Sequence, residues 1–170
     1  MRKLFLILLL LFSFLFTAQT VSPKVISGGV SVSDTVPVGF FGAWSVAAVR
    51  VNTTNEQLFV PYSVEMWNLS KTGDVITLEN PVSGAVATVT VQDTTENTFT
   101  FKRETTDVGE KVEETVKLTL SGDNFYGFDT MVVRYYKNGS VIKEETVNYK
   151  LKAKKVSGEN IWKIFGVNSY

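Results

Sequence analysis

The chain predicts an all-β domain, an up-and-down antiparallel β-barrel of about eight strands, and three observations carry that expectation. From residue 41 to 156, Val, Thr, Ile, Phe and Tyr dominate and alternate with polar residues at period two. Short clusters of Gly, Asn, Asp, Ser and Pro divide these runs into strand-length pieces. No segment after the N-terminus holds a helical period. An all-β domain of this length hides its edges by closing one sheet or stacking two. Sequential hairpins without a long crossing connection favour closure, and a β-sandwich is the alternative.

The first element is not a strand. Met1-Arg2-Lys3 supplies positive charge, Leu4 to Phe16 is apolar apart from Ser13, and Thr17-Ala18-Gln19-Thr20 is small and polar. That order is the pattern of an export signal, expected over 1–19. The apolar run falls short of the roughly 20 residues of a bilayer-spanning helix, so cleavage is favoured over an uncleaved anchor. The expected destination is therefore the cell envelope, periplasm or exterior, without stable membrane insertion after cleavage. Residues 20–39, with Pro23, Pro37 and several Ser and Gly, read as a leader or a loosely added strand.

The domain proper is expected over 40–156. Gly42 to Val51 forms the first strand, and a polar loop from Asn52 to Gln57 leads to a second near Phe59 to Leu69. Lys71 to Asp74 turns into a short strand, Val75 to Leu78. Pro81, which cannot donate to a ladder, breaks the chain before Ala85 to Gln92. Thr98 to Arg103 alternates cleanly, with Phe99 and Phe101 on one face. Lys111 to Leu120 buries Val112, Val116, Leu118 and Leu120, and Phe125 to Tyr136 follows with a bend expected at Gly127. Asn138-Gly139 is the pair typical of a type I′ hairpin. Its partner strand reaches Lys154, with Val147, Tyr149, Leu151 and Ala153 on one face and Asn148, Lys150, Lys152 and Lys154 on the other. Residues 157–170 carry Ile161, Trp162, Ile164, Phe165 and Tyr170, an apolar tail expected to pack on the domain or a partner.

Composition excludes much chemistry. The chain has no His and no Cys, so the commonest general base, the commonest metal ligand and the most nucleophilic side chain are missing. Without Arg2 and Lys3, fifteen basic side chains face seventeen acidic ones, a net charge of −2. Nucleic acid, which calls for a basic excess, is not an expected partner. About 150 residues suffice for one core without disulfides. Asn52, Asn68 and Asn138 open N-glycosylation triplets whose use depends on the host cell.

Phe41-Gly42-Ala43-Trp44 resembles the Gly-x-Trp element that opens the first strand of lipocalins and their calycin relatives. The resemblance implies a Trp plugging one barrel end, with a basic residue late in the barrel over its ring. Arg134, Lys150, Lys152 and Lys154 are the candidates. The family's Thr-Asp-Tyr-type element and its disulfides are absent from this chain.

No catalytic residue, metal site or cofactor is expected. Glu110, Glu113 and Glu114 are the densest acidic group, but successive strand residues face opposite ways, and a solvated edge is the expected role. Glu144-Glu145 reads the same way. The Lys150, Lys152, Lys154 and Lys155 stripe reads as a soluble strand face, or as a contact for anionic lipid or polysaccharide. What remains is binding. Trp44, Val46, Val89, Val91, Phe99, Phe101, Tyr149 and Leu151 are the inward candidates to line a site for a small apolar ligand. The alternative is an envelope or extracellular structural or interaction module whose barrel is filled by side chains.

Overall fold

A computed structural model describes residues 32–156; the expected signal at 1–19, the leader up to residue 31 and the tail at 157–170 lie outside the described residues. Eight strands follow one another: β1 (Gly42–Thr53), β2 (Tyr62–Thr72), β3 (Val75–Asn80), β4 (Ala85–Thr94), β5 (Thr98–Asp107), β6 (Glu110–Ser121), β7 (Asn124–Lys137) and β8 (Ser140–Lys155). Each pairs antiparallel with the next, and β1 pairs with β8, closing an up-and-down barrel. Closure removes every sheet edge, which an alternating sequence without helical covers requires.

Period two then sends one series of side chains inward. Trp44 and Val46 of β1, Ile76 and Leu78 of β3, Phe99 and Phe101 of β5, Val116 and Leu118 of β6, and Val147 and Leu151 of β8 are all buried in one cluster. The outward series carries many charges, as at Lys102, Glu104, Lys117, Lys150, Lys152 and Lys154, which are exposed, and among them Val49, Val64, Tyr126 and Phe128 also stand exposed. Lys137-Asn138-Gly139-Ser140 makes the expected tight turn, with φ of 52° at Asn138 and 77° at Gly139, the left-handed pair a type I′ turn needs.

Two local expectations need correction. The second strand begins at Tyr62 rather than near Phe59, because residues 54–61 are held as a loop. Asn55 Oδ1 accepts the amides of Gln57 and Leu58 at 3.0 and 3.2 Å, and the Arg50 guanidinium donates to the Phe59 carbonyl at 2.6 Å. The described part of the leader is not a strand. Val32–Thr35 and Val38–Phe40 form two 3-10 turns, and Val36 and Phe40 are buried in the barrel cluster.

Those turns close the lower end of the barrel, where β1 begins. Trp44 is fully buried there against Phe125, with ring centroids 4.8 Å apart, and its indole N–H donates to the Phe40 carbonyl at 2.8 Å. The cation over this Trp is none of the four candidates. Lys155 places Nζ 5.2 Å from the ring centroid and donates to the Gly39 carbonyl at 3.0 Å. Parity explains the difference: Val147, Tyr149, Leu151 and Ala153 point inward on β8, so Lys155 does too, while Lys150, Lys152 and Lys154 point out. Arg134 likewise faces out, beside buried Val133, and pairs with Glu113 and Glu144. Gly42, at φ 115°, admits a bend few other residues adopt and leaves room for the Lys155 stem.

Candidate functional site

The interior has two unlike halves. The lower half is packed with Trp44, Phe99, Phe101, Leu118 and Phe125, all fully buried, and Phe99 stacks obliquely on Phe101 at 4.9 Å. The upper half, toward the 54–61 loop, contains a cavity of about 120 Å³. Among its walls are Val46 and Ala48 of β1, Glu65 and Trp67 of β2, Arg103 of β5, Glu114 of β6, Asp129 and Met131 of β7, and Tyr149 and Leu151 of β8. Of the eight expected lining residues, Val46, Tyr149 and Leu151 border it. Trp44, Val89, Phe99 and Phe101 are instead packed in the core, and Val91 is half-buried against it.

The cavity is far more polar than the expected lining. Arg103 and Glu114 face each other across the β5–β6 ladder and join in a bidentate pair, Nε to Oε2 and Nη2 to Oε1, the second at 2.7 Å. Glu114 is only 4 % exposed, so the expected solvated role is wrong for it, while Glu113 points outward, half-buried, and pairs with Lys111 and Arg134. Glu145 is also buried rather than solvated. Its carboxylate accepts from Lys143 at 2.5 Å and from Thr54 and Asn55 at 2.8 and 3.2 Å. Those bonds, Lys143 first, hold it below the usual carboxylate range and tie the loop to β8.

Asp129 sits diagonally from Glu114, opposite Val116 on β6 and Tyr149 on β8. It is 7 % exposed, and its Oδ1 accepts no hydrogen bond from any described residue. Burial, then the neighbouring Glu114 charge and a hydrogen bond with Glu114, push its carboxyl up to about 9; Arg103 opposes this and does not prevail. At neutral pH Asp129 is therefore an acid carrying its proton. Burial also raises the Tyr149 phenol, which keeps its proton and donates to the Val60 carbonyl of the loop at 3.1 Å. Glu65 lies at the mouth, exposed, and accepts from the Trp67 indole N–H at 3.3 Å.

No family model matches the chain, and no curated protein matches it.

The arrangement can hold a small molecule and offer it hydrogen-bond acceptors. About 120 Å³ lies well below the roughly 300–1,000 Å³ of pockets for drug-sized ligands, so a long lipid chain has no room. Among the described residues, no group of three or more acidic side chains is placed to hold a metal ion. Arg103 and Asp129 carry no expectation of a site, and Glu114 one of solvation, because each charge interrupts an apolar series. The signal was nonetheless there: Arg103 continues Phe99 and Phe101 at period two, Glu114 lies between Val112 and Val116, and Asp129 between Phe125 and Val133 in the same parity.

Proposed function

We propose that the protein is an exported, lipocalin-like binding protein that holds one small molecule in the upper half of its barrel and performs no chemistry on it. The observation that carries this reading is the cavity itself, walled by six strands above a solid lower core. The lipocalin-like part rests on Gly42-Ala43-Trp44 at the start of β1, with Lys155 over the Trp ring, in an eight-stranded meander. Outward faces that carry Lys102, Glu104, Lys117, Lys150, Lys152 and Lys154 over an apolar core are unlike the uninterrupted apolar band of a lipid-facing barrel, which favours a soluble carrier.

The expected ligand keeps its modest size and loses its purely apolar character. Relative to a site for a lipid, this one suits a molecule of one ring or a few carbons, since a cavity of about 150 Å³ takes a single benzene. The test is a titration followed by amide chemical shifts, using phenol, 1-butanol and n-butylamine as probes. Saturable binding of at least one probe at one per chain is expected, with shifts around Ala48, Met131 and Leu151. Ala48→Phe, which fills the space, should abolish it. If no probe binds and Ala48→Phe leaves the shifts of the other lining residues unchanged, the filled-barrel interaction module replaces the carrier.

A further inference from the structure

Within that binding reading, on which this inference rests, we infer that the ligand class is a small organic ammonium ion, seated on Asp129 Oδ1 and drawn in past Glu65. The polar groups around the cavity are unequally used. Arg103 turns Nε and Nη2 to Glu114, whose carboxylate balances the guanidinium charge, so a ligand anion would compete with a carboxylate already in place. Tyr149 gives its hydroxyl hydrogen to the Val60 carbonyl. The Trp67 indole N–H is directed at Glu65. These donors are turned toward protein acceptors, while one buried acceptor is left over: Asp129 Oδ1, on a side chain more than nine-tenths buried, has no partner among the described residues.

Buried acceptors without donors are costly, so the complementary ligand brings N–H groups. Charge selects among such ligands. Glu114 is balanced by Arg103, and Glu65 at the mouth forms no ion pair among the described residues, so the wall carries a net negative charge. An anion would meet three carboxyl groups with no free cation. A primary ammonium offers three donors to Asp129 and Glu65, and its short carbon chain lies against Val46, Ala48, Met131 and Leu151 beside the Trp67 ring, which also favours a cation.

Binding carries a proton balance. The ammonium nitrogen keeps its protons and pairs with the Asp129 carboxylate, and the proton that Asp129 held passes to solvent. The groups facing Asp129 are Glu114, Arg103, Glu65 and Tyr149, with Arg50 of β1 beside Tyr149. Arg103 stays charged and Tyr149 stays neutral below pH 9, so Asp129 is the group whose release is expected.

The test compares n-butylamine, 1-butanol and butyrate, which share a chain and differ in charge, by amide shifts on the full chain. The amine should bind about tenfold or more tightly than the alcohol, and butyrate should not bind. Amine affinity should rise from pH 6 to pH 8 with proton uptake by the buffer in calorimetry, while alcohol affinity stays flat. Asp129→Asn should weaken the amine by about tenfold and leave the alcohol within about twofold. Glu65→Gln, at an exposed site and with an amide oxygen that can still accept from the Trp67 indole, should weaken the amine alone, by a smaller factor. If the alcohol equals the amine, or butyrate exceeds it, the ammonium inference falls and the carrier reading stands. If none of the three binds, both fall.

Discussion

Replacing Asp129 with asparagine will stabilise the protein at neutral pH, and by more as the pH rises. The folded carboxyl titrates at about 9 because burial and Glu114 oppose its ionisation, against an ordinary value of 3.8 in the unfolded chain. Between those two values the folded state holds a proton that the unfolded state has already released. Stability is therefore lost as pH rises through this window, at about 1.4 kcal/mol per unit. Below pH 4 both states are protonated and the penalty vanishes; above pH 9 it is constant. At pH 7, some three units into the window, the penalty is about 4 kcal/mol, a large share of the roughly 5–15 kcal/mol that holds a domain together. Asparagine has nearly the same shape and never ionises. Urea unfolding of both proteins at pH 5, 6, 7 and 8 gives the difference directly, with m-values checked for equality. The variant's advantage should widen steadily across the series. A difference that does not change with pH would refute the assignment of a proton to Asp129 in the folded state.

Three further outcomes are expected. Arg103→Met should cost about 3–5 kcal/mol because it strands the buried Glu114 carboxylate, and Arg103→Met with Glu114→Leu should recover most of the loss; a double variant no better than the single would oppose this. Trp44→Ala should cost about 3–5 kcal/mol in denaturant, whereas a loss under about 1 kcal/mol would show that Trp44 is not a core residue. Gly127→Ala should lower the melting temperature sharply, since the added Cβ would lie 2.2 Å from the Lys117 carbonyl oxygen, and overpacking of this kind costs about 1–3 kcal/mol or more. An unchanged melting temperature would mean that β6 and β7 can separate there freely.

Much of the barrel was legible because period-two alternation and turn chemistry are local properties. Thr98 to Arg103 announces its buried face through Phe99 and Phe101 alone, and Asn138-Gly139 names its own turn. The loop at 54–61 was harder to read. What keeps Phe59 out of β2 is a hydrogen bond from Arg50, nine residues earlier, together with ties to Glu145 across the barrel. The lower plug was half legible: Trp44 declared itself, but its cation did not, because the last strand was expected to end at Lys154 and runs one residue further, to Lys155. The upper site was least legible. Hydropathy ranks Arg103, Glu114 and Asp129 as surface residues, and only their position inside three aligned inward series places them together. A charged residue that keeps perfect step with an apolar face is thus a stronger pointer to a site than an apolar face alone.

The seam between β1 and β8 bears on how this protein comes to fold. All other strand pairs join neighbours in sequence, whereas Thr53 meets Thr146 across 93 positions. Loop-closure entropy for that contact must be met before its reward arrives, so seam closure is the natural late step of a slow, non-local folding reaction. Val46, Ala48, Tyr149 and Leu151 flank this seam. Until the two ends of the domain meet, the eight strands form an open sheet with β1 and β8 as bare edges and only half a cavity. The ability to hold a ligand therefore arrives all at once with the final pairing, and a ligand that holds β1 and β8 together slows the first step of unfolding.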